Sequence, residues 1–420
     1  MKKIGVFLSA GPSGGGMFQY SQTVLNALAQ LPPAEFPVVV AAYTDRIWEQ
    51  YMPSDRVLNL PLGSRMGFNV LASLRTVSRL PLKVWWKCVG RYSSLVKQVV
   101  AQGCDLWIFP RQDVWSSQFP VPALVAVHDL MHRYESYFPE VGSHGRAWYR
   151  DCYIKAACEV AKGILVDSPL GKIHVHESYR TSLEKIHVLP YVPGSCFSES
   201  AGGKGGMCTS SGLPEKFIFY PAQFWEHKNH KRLIEAVALV KHKYPDIKLI
   251  LAGSKKNSYL QILEQVKRLG LLDSVHFLGY VPDSDIPGIY DRARALVFPT
   301  FFGPTNIPPL EAFARGCPVA ASNIYAMPDQ LRDAALYFDP NSVEQIADCI
   351  SRLWSNDDLC AGMSDKGKLR SKGWNVEQFQ LALHAIIRHL TNHAPLTAPE
   401  AESLLNQDMS VSTLTGTNKQ

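Results

Sequence analysis

The chain lacks any long uninterrupted hydrophobic segment. No apolar run approaches the roughly 20 residues that a transmembrane helix needs, and residues 1–10 are typical of a first β-strand rather than of a signal peptide. We therefore expect a cytoplasmic protein, acting either in free solution or at the inner face of a membrane.

Paired cysteine motifs are also missing. The nine cysteines are odd in number and contain no CxxC pair; they stand at positions 88, 104, 152, 158, 196, 208, 317, 349 and 360. This spacing favours structural thiols in a reducing compartment over metal ligands or disulfides.

The sequence also has few charged residues and a small net charge. The net charge of +6 is mild for 420 residues and does not indicate a nucleic-acid partner. Hydrophobic residues make up 46% of the sequence and charged residues 19%, as in soluble globular proteins. A chain of this length suits two domains.

Part of the positive charge is concentrated between residues 75 and 97, a segment without acidic residues. Basic residues recur every four positions at Arg75, Arg79, Lys83, Lys87 and Arg91, beside apolar and indole side chains that include Trp85 and Trp86. A helix with this pattern would suit peripheral contact with an anionic membrane. The alternative is a helix packed into the core by its tryptophans, and Pro81 interrupts either helix.

In the first half of the sequence, short apolar runs alternate with helical patterns. Predicted strands cover residues 4–9, 38–42, 106–109, 124–128 and 163–167, and predicted helices cover 18–30 and 146–160. Continuous apolar strands separated by helices predict a parallel sheet covered on both faces.

The same alternation restarts after a Gly-rich and Ser-rich stretch. Predicted strands cover residues 217–220, 248–252, 275–278 and 296–298, with helices at 231–243, 259–269 and 286–292. We expect an N-terminal domain at 1–190, a linker at 191–214, a C-terminal domain at 215–375, a helix at 376–394 and a disordered tail at 395–420. The fold class is α/β: two Rossmann-like, doubly wound domains whose strand ends can face a cleft.

One candidate site lies in the loop 221–229, between a strand and a helix. If Asn229 caps that helix, the Lys228 ammonium stands beside amides at the positive end of the helix dipole. Such a place suits a phosphate or a diphosphate. The alternative is a solvated surface lysine.

A second candidate site lies in the segment 298–316, again a strand, a Gly/Pro loop and a short helix. Pro308 or Pro309 fits the first turn of that helix and Gly316 its end. The amides of Thr305, Asn306 and Ile307 would then form an anion cradle.

Glu311 falls one turn into the same helix. The helix dipole favours a carboxylate there, and this carboxylate could accept two hydrogen bonds from a vicinal diol such as ribose. It could equally do no more than stabilise the start of the helix.

These motifs together resemble glycosyltransferase family 4, whose members have the GT-B fold, a lysine in a loop like His227-Lys228-Asn229 and a Glu-x7-Glu element. The run 310–319, LEAFARGCPV, matches the end of that element closely, and the resemblance covers about residues 4–390. It implies a retaining, metal-independent sugar transfer from a nucleoside diphosphate sugar, in which Lys228 holds the diphosphate and Glu311 the ribose.

The chain departs from the family pattern at two positions. Gly303 stands where the family usually has its first glutamate, which ordinarily faces the donor sugar, and Gln223 stands where many relatives have an arginine. His227, if protonated, could supply part of the missing charge. The form GPTNIPPLE resembles a subgroup associated with bacterial polysaccharide assembly, such as O-antigen or capsule, which implies a saccharide or lipid-linked saccharide acceptor.

The first half offers two further candidates. Gly15 and Gly16 follow the first strand without full GxGxxG spacing; the resemblance places them against the donor diphosphate or the acceptor, and a plain tight turn is the alternative. His128 ends a predicted strand in an HD segment, where family relatives carry a histidine that contacts the donor sugar.

Asp283 and Asp285 imitate a DxD metal motif. They precede a predicted helix, so N-capping explains both acids, and we expect no metal site.

Two readings other than sugar transfer stay open: a nucleotide-sugar epimerase of the same architecture, and a non-catalytic GT-B subunit that binds a donor or a partner.

Overall fold

The computed structural model describes residues 1–53, 56–63, 70, 72–73, 75, 80–197 and 212–392. The chain forms two compact units. The first contains residues 1–130, 148–190 and the segment from 377 onward, and the second contains 131–147 and 191–376. Most of the predicted linker, and the predicted tail, lie outside the described residues.

The described strands are, in chain order, β1 Lys3–Leu8, β2 Val38–Tyr43, β3 Val57–Pro61, β4 Leu106–Phe109, β5 Ala123–Ala126, β6 Gly163–Val166, β7 Ile186–Val188, β8 Ile218–Pro221, β9 Leu249–Ala252, β10 Val275–Gly279, β11 Ala295–Phe298, β12 Val319–Ser322 and β13 Ala335–Phe338.

The described helices are α1 Gly16–Ala29, α2 Leu82–Tyr92, α3 Ser94–Val100, α4 Met131–Tyr134, α5 Pro139–Gly142, α6 Arg146–Val160, α7 Pro169–Tyr179, α8 His230–Lys243, α9 Tyr259–Arg268, α10 Ile286–Arg292, α11 Ile307–Ala314, α12 Met327–Leu331, α13 Val343–Ser355, α14 Asp357–Gly373 and α15 Val376–Asn392. Short 3-10 turns include Pro12–Gly14, Trp115–Ser117 and Glu226–Lys228.

Each unit is built on one parallel sheet. The first sheet has seven strands in the order β3-β2-β1-β4-β5-β6-β7, and the second has six in the order β10-β9-β8-β11-β12-β13. Strands such as β4, β5 and β11 are buried along their whole length, because helices cover both faces of a doubly wound sheet. The prediction of two Rossmann-like domains is confirmed.

The segment 131–147 lies in the second unit, although the sequence had suggested a first domain that runs to residue 190. Glu140 of this segment accepts hydrogen bonds from the backbone N–H of His227 and from the side chain of Asn257. Phe138 joins Met131, Val141 and Phe302 in a small buried cluster. Contacts distant in sequence therefore decide the assignment.

The C-terminal helix α15 returns to the first unit. Nε2 of His384 lies 2.9 Å from the carbonyl oxygen of Ala27. Arg388 donates to the carboxylate of Glu35 at 2.8 Å. A helix predicted as an appendage after the second domain is thus part of the first.

The basic segment 75–97 is not one continuous helix among its described residues. A helix begins at Leu82, directly after Pro81, and α3 starts after Ser93. Trp85 and Val89 face inward, and Trp86 donates to the carbonyl of Ser117 at 3.0 Å. The tryptophans therefore belong to the core of the first unit, as the alternative interpretation held.

The outer side of α2 keeps a row of cations. Lys83, Lys87 and Arg91 are exposed there, next to Val84 (47% exposed) and Tyr92 (79% exposed). Arg75 is buried and does not belong to this row, and Arg79 lies outside the described residues. Among the described helices, none has both the length and the apolar character needed to cross a membrane.

Candidate active site

The candidate residues of the second unit lie around the point where the strand order of its sheet reverses. β8 pairs with β11, and the chain leaves this pair in opposite directions, toward β9 on one side and β12 on the other. Loops at the carboxyl ends of such a strand pair form the ligand crevice in doubly wound sheets. Lys228 follows β8, and Glu311 lies on the helix that follows β11.

The loop after β8 ends in a 3-10 turn, Glu226–Lys228, and α8 then begins at His230. Asn229 is the N-cap residue by position, but its side chain makes no capping bond. Instead it is buried and donates to the carbonyls of Pro299 (2.9 Å) and Pro340 (2.8 Å). The prediction that the Asn229 side chain caps this helix is therefore wrong, because that side chain instead ties the β8 loop to the β11 loop.

Lys228 is half-buried beside the N-terminus of α8. Its carbonyl accepts a 2.7 Å hydrogen bond from the hydroxyl of the buried Tyr220, and its Nζ lies 5.6 Å from the centre of the Phe298 ring. The backbone at Lys228 is thus fixed by the core, while the ammonium stays at the strand ends of β8 and β11.

Neither Gln223 nor His227 adds a net positive charge to this loop. Gln223 accepts from the indole N–H of Trp225 at 2.9 Å. His227 lies with Nδ1 2.5 Å from the carboxylate of Glu140, and its backbone N–H donates to the same oxygen. A protonated His227 is neutralised by Glu140, so the expectation that it replaces a missing arginine charge is not supported.

Burial alone would raise the pKa of Glu140, but hydrogen bonds from the side chain and backbone of His227 and from Asn257 outweigh it and lower this pKa to about 2. The carboxyl is only 7% exposed. Its charged form therefore stabilises the fold above the unfolded-state pKa near 4.5, and this stabilisation is lost as the pH falls from there toward 2.

We expect Glu140→Gln to lower the free energy of unfolding by about 1–3 kcal/mol at pH 7. The difference from the wild type should shrink below about pH 4.5, as the wild-type carboxyl of the unfolded chain takes up its proton. Urea unfolding at a series of pH values measures this. A difference that stays constant from pH 7 to pH 4 would show that the ion pair does not contribute in this way.

Gly303 in the loop after β11 has φ +126°, a backbone conformation that only glycine adopts readily. A Cβ atom added there would lie 2.5 Å from Nδ2 and 2.7 Å from Oδ1 of Asn306. The space where related proteins would have a glutamate side chain is thus filled by the Asn306 side chain, and the loop excludes that glutamate on both counts.

The backbone of Asn306 is held by the side chain of Gln330. Its N–H donates to Oε1 at 3.0 Å, and its carbonyl accepts from Nε2 at 2.9 Å. One side-chain amide thus pairs with both the N–H and the C=O of a single residue, as a residue of a neighbouring strand would. The predicted anion cradle is therefore wrong at Asn306, because that N–H already has a partner 24 residues away. Thr305 and Ile307, on either side, are 8% and 7% exposed.

The helix α11 starts at Ile307, with prolines in its first turn and Gly316 at φ +68° just beyond its end, as predicted. Glu311 is 7% exposed, and the buried hydroxyl of Tyr290 donates to its Oε2 at 3.1 Å. The same hydroxyl lies 3.1 Å from the carbonyl of Pro308. Tyr290 therefore fixes the carboxylate relative to the first turn of its own helix.

In the first unit, His128 lies two residues beyond β5 and is buried. Its Nε2 is 2.7 Å from the carbonyl of Pro110, and since a carbonyl only accepts, Nε2 carries the proton and Nδ1 is an acceptor. Burial lowers the pKa of His128 to about 4, although the Pro110 bond and the charge of Asp129 oppose this. The imidazole is neutral at pH 7.

The turn that carries His128 is held by Gln112. Its Oε1 accepts from the backbone N–H groups of His128 (2.7 Å) and Asp129 (3.1 Å), and its Nε2 donates to the Asp129 carbonyl at 2.8 Å. A glutamine thus fixes a candidate loop in the first unit, as Gln330 does in the second.

Gly15 and Gly16 lie at the carboxyl end of β1, where α1 begins. Gly15 has φ 56° and ψ −127°, a combination that favours glycine. Gly16 is the first residue of α1. The turn between β1 and α1 therefore needs a glycine at position 15. Both glycines follow β1, whose neighbours β2 and β4 lie on opposite sides of it, and a ligand crevice is expected at such a switch point.

The sequence reasoning missed a polar cluster at this switch point of the first sheet. Asp113 accepts from the hydroxyl of Ser9, Arg111 donates to the Ser9 carbonyl at 2.7 Å, and Arg150 binds both oxygens of Asp129 at 2.8 Å. The signal was present in the sequence, because Arg111, Gln112 and Asp113 follow directly on the apolar strand β4.

The DxD-like pair lies before α10. Asp285 is the N-cap residue by position, without a side-chain capping bond, so N-capping by both acids is wrong in detail. Within the described part of the chain, no group of three or more His, Cys, Asp or Glu side chains is placed to hold a metal ion.

Residues 210–370 match the family model described as glycosyl transferases group 1. This region contains β8 to β13 and both Lys228 and Glu311. It confirms the resemblance carried by these motifs.

Two curated relatives are similar over larger parts of the sequence. The O-antigen chain mannosyltransferase B of Escherichia coli is 31% identical over 252 residues, which is 57% of this chain and 64% of that protein. The O-antigen chain mannosyltransferase RfbU of Salmonella typhimurium is 25% identical over 357 residues, which is 82% of this chain and 91% of that protein. The alignment thus spans slightly less than two thirds of the first relative and most of the second.

Solved structures show the same fold at low sequence identity. The Anabaena protein HepE, crystallised in complex with UDP-glucose, aligns with a TM-score of 0.68 at 16% identity, over 92% of this chain and 99% of its own. The sucrose-phosphate synthase from Thermosynechococcus elongatus aligns with a TM-score of 0.66 at 18% identity, over 94% and 100%. At such identities the match concerns the fold alone.

Proposed function

We propose that this chain, which carries a group 1 glycosyltransferase domain, transfers a sugar from a nucleoside diphosphate sugar to a saccharide or lipid-linked saccharide in bacterial surface polysaccharide synthesis. One observation carries the proposal. An ammonium, Lys228, and a buried carboxylate, Glu311, follow the two adjacent strands β8 and β11 at the switch point of one sheet, inside the matched region. The O-antigen mannosyltransferases among the relatives support the acceptor class.

In this mechanism Lys228 stabilises the departing diphosphate. Breaking the glycosyl bond adds negative charge to the leaving group, and a cation at the N-terminus of α8 is placed to offset it. His227 is paired with Glu140 and adds no net charge, so Lys228 carries this role within its loop. No metal ion is needed for this step.

Glu311 binds the ribose of the nucleotide. Its carboxylate can accept hydrogen bonds from two vicinal hydroxyls, and Tyr290 restrains it from one side. The carboxylate lies one turn inside α11, near the positive end of the helix dipole, which favours its charged form.

His128 of the first unit acts as a neutral hydrogen-bond acceptor for the donor sugar. Because its Nε2–H is directed at Pro110, Nδ1 is the nitrogen that can accept from a sugar hydroxyl. The leaving phosphate itself can take the acceptor proton, so no protein general base is assigned. Retention at the anomeric carbon is part of the proposal and is read from the product by NMR.

A panel of nucleoside diphosphate sugars, incubated with and without saccharide acceptors, tests the proposal by nucleotide release. We expect turnover that depends on the acceptor. Donor conversion without an acceptor would indicate an epimerase. Donor binding without turnover would indicate a non-catalytic subunit, the alternative that the departures at Gly303 and Gln223 motivate. Either result overturns sugar transfer.

We expect Glu311→Ala to raise the dissociation constant for the nucleoside diphosphate at least about 100-fold, because two hydrogen bonds to a charged group are lost, each contributing about 1.5–3 kcal/mol. Tyr290→Phe is the matched variant: it keeps the carboxylate and removes only its restraint, so its effect should be smaller. Isothermal titration with UDP and GDP measures both. An unchanged affinity in Glu311→Ala would contradict the ribose assignment.

Peripheral membrane contact through the outer side of α2 is part of the same proposal. Each basic residue near an anionic surface contributes about 1 kcal/mol, so reversing Lys83, Lys87 and Arg91 to Glu should weaken binding to vesicles with 30% phosphatidylglycerol at least about 100-fold. The control reverses three lysines of the first unit that do not belong to α2: Lys155, Lys162 and Lys185. Equal vesicle binding by both triple variants would rule out α2 as the contact.

A further inference from the structure

A cavity lies in the second unit, at the edge of its sheet. A cavity of about 600 Å³ opens at the carboxyl ends of β12 and β13, lined by the residues that follow these strands and by Phe301, Glu135 and Tyr137. Its volume falls within the range of about 300–1,000 Å³ typical of small-molecule sites. Neither Lys228 nor Glu311 lines it, although two of its lining residues, Phe301 and Pro340, are hydrogen-bonded to the loop that carries Lys228.

The charged groups that line the cavity do not favour a phosphate ligand. Its lining includes the carboxylates of Glu135 and Asp339 and no lysine or arginine. A diphosphate would need cations or free amides there. The nucleotide end of a donor is therefore a poor fit, in contrast to the loop around Lys228.

The remaining lining combines aromatic rings with neutral amides. Phe301, Tyr325 and Tyr337 supply ring surface, and Asn323 and Asn341 supply amide groups that can both donate and accept. A sugar ring has an apolar C–H face, which suits an aromatic ring, and an edge of hydroxyls, which suits amides and carboxylates. Asn341 already donates to the carboxylate of Asp339 at 3.1 Å, so Asn323 is the amide that an organic cation would leave unused.

One wall of the cavity is held in a strained conformation. Tyr325 has φ +49°, which is costly for a bulky side chain. Its ring packs edge-on against Phe302 at 4.9 Å, and its hydroxyl donates to the carboxylate of Glu135. Strain of this kind persists only where the surroundings impose it, and it is concentrated at ligand sites.

Glu135 also binds a second phenol, that of Tyr137. Partial desolvation of the phenol first, and then the adjacent carboxylate of Glu135, raises the pKa of the largely exposed Tyr137 to about 12. Burial first, and then the same carboxylate, raises the pKa of Tyr325 well above its usual value. Both phenols therefore stay protonated as donors at neutral pH. The carboxylate of Glu135 accepts hydrogen bonds from two hydroxyl groups. This wall of the cavity is therefore polar, and its carboxylate does not need a cation as a partner.

We propose that this cavity is a saccharide-binding site that holds a sugar unit of a glycan chain, apart from the donor nucleotide. It rests on the proposed function only in the choice of a glycan as the ligand. Ring faces, amides, one carboxylate satisfied by phenols and a lining without lysine or arginine all fit a neutral sugar. Such a site would hold a growing acceptor chain on the second unit.

The test uses the full-length protein saturated with UDP or GDP, and neutral trisaccharides of mannose, galactose, glucose and N-acetylglucosamine as probes. We expect at least one trisaccharide to bind in isothermal titration while the nucleotide is bound. Tyr137→Ala and Asn323→Ala, both at exposed positions, should weaken the binding of this trisaccharide at least about 10-fold. The affinity of both variants for the nucleotide should change less than about twofold. Tyr325→Phe, which keeps the ring, should weaken trisaccharide binding less than Tyr325→Ala.

Three results would overturn the proposal: no trisaccharide binds, the variants bind as tightly as the wild type, or only tetramethylammonium binds and the cavity variants abolish that binding. A trisaccharide that competes with UDP or GDP would likewise place it in the donor site. Failure of the proposed function looks different, because sugar transfer would be absent from the donor panel while trisaccharide binding and its loss in the variants remained.

Discussion

Replacing Lys228 with alanine is expected to lower kcat/KM for the donor by about 10²- to 10³-fold, the effect of removing one preorganised electrostatic group from a charge-developing step. The loss should fall mainly on kcat, because the charge on the diphosphate grows as the glycosyl bond breaks. Steady-state kinetics on the donor identified in the panel separates kcat from KM.

The matched control is Lys231→Ala, which removes an exposed lysine three residues further along, on α8 itself. It should leave kcat/KM within about twofold. Lys228→Arg keeps the charge with a different shape and should recover part of the lost rate. If Lys228→Ala turned over the donor as fast as Lys231→Ala, the diphosphate role would be wrong.

The second large effect is expected at Gly303. A side chain at φ +126° costs about 1–3 kcal/mol, and the added Cβ would also lie 2.5 Å from the Asn306 amide. We expect Gly303→Ala to lower the free energy of unfolding by at least about 2 kcal/mol, and Gly303→Glu, which restores the residue usual in the family, to abolish activity rather than improve it.

The control is Gly362→Ala on α14, where an added Cβ meets nothing within 4 Å. A helix-interior alanine should raise stability by about 0.5–1 kcal/mol, so the two alanine variants should shift the urea midpoint in opposite directions. Combining Gly303→Ala with Asn306→Gly should recover only the part of the loss that is due to the contact. A Gly303→Ala variant as stable as the wild type would show that the loop tolerates another backbone conformation.

Local pattern predicted most of the elements. The helices at 146–160 and 286–292 begin and end at the predicted residues, and the predicted strands lie within two residues of the observed ones. The runs that became β3, β7, β12 and β13 are not assigned from the sequence, and β7 has only three residues.

The positions of the site loops could also be predicted, but their internal contacts could not. Lys228 and Glu311 follow their strands as expected, because the alternation of strands and helices fixes which loops lie at the switch point. The partners of these loops are distant in sequence: Gln330 reaches Asn306, and Glu140 reaches His227. Nothing in the local sequence marks Gln330 as a hydrogen-bond partner rather than as a solvated residue of a helix.

The two glutamines also determine what a pH profile of this protein can report. Gln112 and Gln330 fix their loops through neutral amides, which neither gain nor lose a proton between pH 2 and pH 12. The backbone at His128 and at Asn306 therefore keeps its hydrogen bonds across the whole working range. A change in rate with pH then does not reflect the loss of these two glutamine contacts. It reflects ionisation of the substrates, of the groups that touch them, or of Glu140, which holds the Lys228 loop through His227.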